Sequence, residues 1–255
     1  MKLTTKLVIT KYRIMEQYEK PIISETEFVS QKVAKSFMAN VFLWMFVAMG
    51  ITALTAYLAA SSSAFFQMLF TETGKMSIMG WVITFAPFAL VLIMSSRFDK
   101  MSVSSMMILF VIYSLLMGLS LSFIFWAYTS ASIFKTFLIT GGMFGIMAVA
   151  GYVTKTDLTK FGNILLMGLI GIIIASLVNF FTKSATLDYV ISFIGVLIFT
   201  GLTAWDVQKL KTIGASNMIQ GDTMAKVAIW GALSLYLDFI NLFLFLLRIF
   251  GNDRN

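Results

Sequence analysis

Two aspartates stand in stretches of this chain that otherwise suit hydrocarbon. Asp238 lies within the apolar run from Met224 to Phe250. An ionised carboxylate at the centre of a membrane helix costs at least about 2.5 to 3.5 kcal/mol on insertion scales, so an acid there marks a site that needs a partner. Ser234, Asp238 and Asn241 fall at i, i+4 and i+7, which places them on one helical face while Leu237, Phe239, Ile240 and Phe243 point elsewhere. That face should look into a helix bundle, and a satisfied structural hydrogen-bond cluster is the plainer alternative. The best partner is Asp206, in Thr203-Ala204-Trp205-Asp206-Val207-Gln208-Lys209, although Asp206 could instead pair with Lys209 or Lys211 at the interface. A third candidate is Arg97, in Ser95-Ser96-Arg97-Phe98-Asp99-Lys100, whose guanidinium could reach a carboxylate at the same depth or simply snorkel beside Asp99.

The chemistry such a set supports is proton sensing and cation handling. Two carboxylates that share one proton titrate as a coupled pair. Two aspartates can then replace histidine, the usual switch near neutrality, which this chain lacks entirely. With both ionised, the pair could attract Ca²⁺, a hard cation that prefers oxygen ligands.

The elements that must position these residues are membrane helices. Of 255 residues, 59% are hydrophobic and only 12% charged, with a mean hydropathy of +0.89. This composition belongs to a polytopic membrane protein. Long apolar runs without the ten-residue alternation of a membrane barrel make it all-α. No cysteine means no disulfide or thiolate metal site, and no histidine removes the usual zinc ligands and every Ser/His dyad. The net charge of +7 does not point to nucleic acid, because the basic residues are dispersed between apolar runs.

Seven runs approach the ~20 residues needed to span hydrocarbon, at about 37–60, 78–96, 102–127, 133–153, 162–182, 189–208 and 226–250. They divide the chain into a polar tail over 1–36, a seven-helix domain over 37–250 and a short tail over 251–255. The first thirty-six residues have no compact apolar segment of signal-peptide type. Fourteen Lys and Arg fall on the side of the N-terminal tail and five on the other. The positive-inside rule therefore puts the N-terminus in the cytoplasm and the C-terminus outside. Gly141 with Gly145, and Gly168 with Gly171, are weak candidates for close helix packing. Pro87 should kink the second span, and the five tryptophans read as interfacial anchors.

The segment Ala232-Leu233-Ser234-Leu235-Tyr236-Leu237-Asp238-Phe239-Ile240-Asn241-Leu242-Phe243, followed by Leu247-Arg248, resembles the C-terminal signature of the transmembrane Bax-inhibitor-motif family, in its bacterial branch. Asp206 after an aromatic residue, with Gln208 following, is similar to the second family aspartate, and the resemblance covers about residues 33 to 250. It implies six helices around a central seventh. It also implies a pH-sensitive calcium-permeable leak of the inner membrane, in which Asp206 and Asp238 form the sensor and Arg97 latches the closed pore. The connection over Lys211–Asp222, with Gly214 and Gly221, departs from the bacterial pattern in its length.

The resemblance implies no enzymatic activity and no cofactor besides Ca²⁺ as the bound or permeating ion. Paired aspartates also evoke intramembrane aspartyl proteases. Here, however, Leu235-Tyr236-Leu237 precedes Asp238 where that family has Gly-x-Gly, and the only prolines are Pro21 and Pro87. A retinal protein would need a lysine that the stretch from Val227 to Leu247 lacks. Two alternatives remain, a membrane-embedded regulator of a membrane protease or stress-response partner and a proton-coupled transporter. The expected partners are therefore the lipid bilayer, Ca²⁺ and H⁺, with or without a membrane protein.

Overall fold

The computed structural model describes residues 32–216 and 221–252, all of it helical apart from connectors. The tail expected over 1–36 lies mostly outside the described residues, as does 253–255. Within the described part, seven helices are long and apolar enough to cross a membrane. In chain order the helices are α1 (Lys32–Ala60), α2 (Ser63–Leu69), α3 (Ile78–Ser96), α4 (Val103–Leu121), α5 (Ile124–Ala127), α6 (Ser130–Val153), α7 (Thr159–Thr182), α8 (Ala185–Ala215) and α9 (Gly221–Phe250). Short α2 is a connector; α4 and α5 together make the third span, Val103–Ala127, and α1, α3, α6, α7, α8 and α9 are the other six. The protein is an all-α, multi-pass membrane protein.

Helix starts follow local capping. Ser62, Ser77, Ser102, Thr129 and Ser184 each accept a backbone N–H of the first turn of α2, α3, α4, α6 and α8. Before α7, Asp157 Oδ1 accepts both the amide of Thr159 (2.9 Å) and its hydroxyl (2.6 Å). These two bonds hold the exposed Asp157 carboxyl below the usual carboxylate range. Lys183 ends α7 in the left-handed region at φ 49°. Helix α3 runs through Pro87 without interruption, whereas the third expected span is divided near Ser122 into α4 and α5.

The bundle is arranged around α9. In its apolar window 56% of residues are buried, against 6% for α7, which lies at the rim with Phe161, Ile170, Leu177 and Phe181 facing outward. Helices α4, α6 and α8 pack directly on α9. Helix α1 reaches it through a buried hydrogen bond of 2.8 Å between Thr52 Oγ1 and Tyr236 Oη, and Thr52 Oγ1 in turn donates to the carbonyl of Ser114 on α4. Tyr236 also meets Tyr113 and Phe110 edge-on, at 5.6 and 6.2 Å between ring centroids.

Glycines set the closest approaches, but of those singled out by spacing only Gly168 is among them. A Cβ on Gly151 would strike the backbone carbonyl of Ala204, and one on Gly162 the Trp205 indole, so these two glycines let α6 and α7 lie against α8. Gly141, Gly145 and Gly171 face open space, while Gly168 abuts Ile198. Trp205 therefore serves as packing. Trp126 does too, donating its indole N–H to the Ala60 carbonyl at 3.1 Å and packing edge-on against Phe66.

Candidate functional site

The α8–α9 seam holds both acids. Asp206 lies nine residues before the end of α8 and Asp238 twelve before the end of α9. At 1.5 Å rise per residue, each sits more than about 13 Å from the nearer helix end. Helix α8 continues seven residues beyond the boundary expected at 208, so Asp206 stands within the helix and not at its end. Asp206 is 8% exposed and Asp238 5%.

Three side chains converge there. Ser234 Oγ donates to Asp206 Oδ2 at 2.6 Å, and the Asp206 and Asp238 carboxyl groups lie within hydrogen-bonding reach of each other. Asp238 Oδ2 is fully enclosed and, among the described residues, has no hydrogen-bond donor. Two ionised carboxylates are acceptors only, so a hydrogen bond between them exists when one carries a proton. The arrangement can therefore hold one proton between two acids in a buried seam.

The other expected site residues lie elsewhere. Asn241 leaves the polar face that it shares with Asp238 in sequence. Its Nδ2 donates to its own Leu237 carbonyl at 2.8 Å, and its side chain borders a cavity on the α3 and α4 side of α9. Arg97 caps the end of α3, is exposed, and among the described residues makes no side-chain ion pair or hydrogen bond. Its neighbour Phe98 does the packing, edge-on to Trp230 at 5.9 Å and beneath Lys226 Nζ at 5.5 Å from the ring centroid. Neither lysine near Asp206 salt-bridges it: Lys209 Nζ lies over the Trp205 ring at 5.0 Å, and Lys211 Nζ donates to the Tyr152 carbonyl at 2.6 Å.

Two further contributors have no structural role assigned from sequence. Gln208 clamps the α6–α7 connector to α8, accepting from the Leu158 amide and donating to the Thr156 carbonyl, both at 2.8 Å. Thr52 fixes Tyr236 two residues before Asp238. Thr52 shares its apolar run with Thr55, so sequence does not separate it, and Gln208 enters the sequence reading only as the residue two places after Asp206. Among the described residues no group of three or more His, Cys, Asp or Glu side chains converges. A resident Ca²⁺ takes roughly six to eight oxygen ligands, so the pair by itself offers a passing cation two carboxyl groups and no closed cage.

Comparison with known proteins agrees with the signature around Asp238. The family model described as Inhibitor of apoptosis-promoting Bax1 matches residues 34–255. The chain is 50% identical over 221 residues to the Inner membrane protein YbhL of Escherichia coli (strain K12), covering 86% of this chain and 93% of that protein. It is 46% identical over 225 residues to an uncharacterized protein of Borreliella burgdorferi, covering 88% and 94% of the two chains. With the uncharacterized protein RP147 of Rickettsia prowazekii it shares 42% identity over 223 residues, or 87% and 91% of the chains. A match across all seven spans, at these identities and over nearly the whole of each relative, places the chain in the Bax inhibitor family.

Proposed function

We propose that this protein is a pH-sensitive, calcium-permeable leak channel of the bacterial inner membrane, with Asp206 and Asp238 as its proton sensor and no enzymatic activity. The observation that carries this reading is the enclosed carboxyl pair, in which Asp238 Oδ2 has no donor among the described residues and Asp206 is held by Ser234. Protonation there changes the charge of the seam between the central helix and α8. A charge change in a buried interface alters how the two helices pack, because the ionised pair repels itself while the singly protonated pair bonds. The N-terminus is cytoplasmic in this reading and the C-terminus outside, following the distribution of Lys and Arg.

Arg97 would act as a latch in a second arrangement, in which the α3–α4 connector releases Phe98 from Trp230 and turns the guanidinium inward. The experiment is calcium flux into liposomes loaded with a calcium dye, across roughly pH 5 to 8, the range in which biological pH switches work. Wild-type protein should give pH-dependent flux, and Asp206→Asn and Asp238→Asn should each lose the pH dependence. Absence of flux throughout, or profiles in both variants that match wild type, removes the reading. A membrane-embedded regulator is the second reading, favoured by the broad outward-facing surface of α7. Capture of a membrane partner that survives both Asp substitutions would support it.

A further inference from the structure

Between α3, α4 and α9 lies a cavity of about 670 Å³, within the roughly 300–1,000 Å³ of small-molecule sites. It is separate from the carboxyl pair, which faces α8. Along α9 it extends from Leu237 to Arg248, about 16 Å at the helical rise. Its side wall includes Phe88 and Leu92, which are 66% and 69% exposed on the membrane surface of α3, so it opens sideways into the lipid.

The inside is graded. Toward Leu237 the walls are apolar apart from Tyr113. Farther along stand Ser120 and Asn241. The Ser120 hydroxyl has no partner among the described residues, and Asn241 uses only its Nδ2, leaving Oδ1 free. Arg248 stands at the far end. It pairs with Asp188 at 3.5 Å, both side chains being about half exposed, and its guanidinium lies over the Phe245 ring at 5.7 Å from the centroid, while most of its five N–H donors have no acceptor among the described residues. An apolar shaft with a side opening, a polar collar and a guanidinium at the interface matches a two-part amphiphile. Arginine is the side chain best suited to a phosphodiester.

We propose that this cavity binds one phospholipid of the surrounding bilayer. An acyl chain enters past Phe88 and Leu92, the glycerol ester region lies beside Ser120 and Asn241, and the phosphate is held by Arg248. This does not depend on the channel reading.

The test is native mass spectrometry of the purified protein titrated with phosphatidylglycerol in detergent. Wild type should retain one lipid, bound at least about tenfold more tightly than any further ones. Leu92→Trp plugs the side opening from an exposed position and spares the core; it and Arg248→Gln should each remove that preference. Ile146→Trp, on the membrane surface of α6 away from the cavity, should keep it. The chain has no cysteine, so Ser120→Cys provides a second readout. In membranes this thiol should resist a charged methanethiosulfonate reagent, because lipid excludes water from it. Rapid labelling would mean a water-filled cavity and overturn the proposal. So would a lipid preference unchanged in Leu92→Trp, or displacement of the lipid by glycerol 3-phosphate, which would make the site one for a free anion.

Discussion

Ser234 and Asp206 are joined across the α8–α9 seam by a 2.6 Å hydrogen bond, one helical turn before Asp238 on the same face of α9. The hydroxyl ties the carboxyl group of one helix to the central helix of the bundle. Hydrogen bonds to charged groups contribute about 1.5 to 3 kcal/mol, so Ser234→Ala should lower stability by about that amount. In an Asp206→Asn background the same change should cost less, since Asn offers a neutral acceptor. Thermal denaturation of the four proteins in a double-mutant cycle measures the difference.

The packing glycines divide into two kinds. Gly151→Ala places a methyl group against the Ala204 backbone, which cannot move aside without shifting α6 from α8. It should destabilise the bundle by at least about 1 to 3 kcal/mol, as overpacked substitutions do. Gly141→Ala enters open space and should be neutral, or stabilise by up to about 1 kcal/mol through helix propensity. Melting in detergent distinguishes the two, and equal losses would contradict the α6–α8 geometry.

At the α3–α4 connector, the contact with α9 runs through Phe98. Arg97→Gln should change stability by less than about 0.5 kcal/mol, as exposed substitutions usually do, whereas Phe98→Ala removes the edge-on contact with Trp230 and the cover under Lys226. Hydrogen exchange in residues 97–102 should rise in Phe98→Ala and stay at the wild-type level in Arg97→Gln. If calcium flux nevertheless changes in Arg97→Gln, the side chain acts in a conformation other than this one.

Asp157 provides a pH control. Its carboxyl is held below the usual range by Thr159, so its folded-state pKa is lower than its unfolded one. Stability from this contact is complete above the unfolded value of about 4 and is lost as pH falls through the folded value. Nothing from Asp157 should therefore titrate near neutrality, and Asp157→Asn should leave any pH profile of flux unchanged between about pH 5 and 8.

Much of this architecture was legible in the chain because apolar length alone dictates membrane helices. The seven runs correspond to the seven spans, and Asp238 stood out because a lone acid in such a run has no ordinary place. The end of α8 was not legible. The expected span stops at about 208, yet residues 209–215 continue the helix, with Leu210 and Gly214 buried against Gly231 and Phe37. That extension places Asp206 within the helix and not at its end. Asn241 was misplaced on the shared face because helical spacing fixes direction only to within a sector, and its amide folds back on Leu237. Arg97 was legible as a cation near the right depth, but sequence could not show that Phe98 fills the position next to α9. Gly141 and Gly145 have the spacing of a packing motif without a neighbour, whereas Gly151 and Gly162 have neighbours and no motif.

The central claim is that Asp206 and Asp238 hold one proton between them. Infrared difference spectroscopy of the reconstituted protein, recorded while pH is stepped across the range in which flux changes, reads protonated carboxyl groups directly. The pair predicts a single carboxyl band in wild type that changes with pH together with flux and is absent from the titration of both Asp206→Asn and Asp238→Asn. A band that titrates in Asp206→Asn as it does in wild type would show that Asp238 is protonated independently of its neighbour, and would contradict the paired sensor.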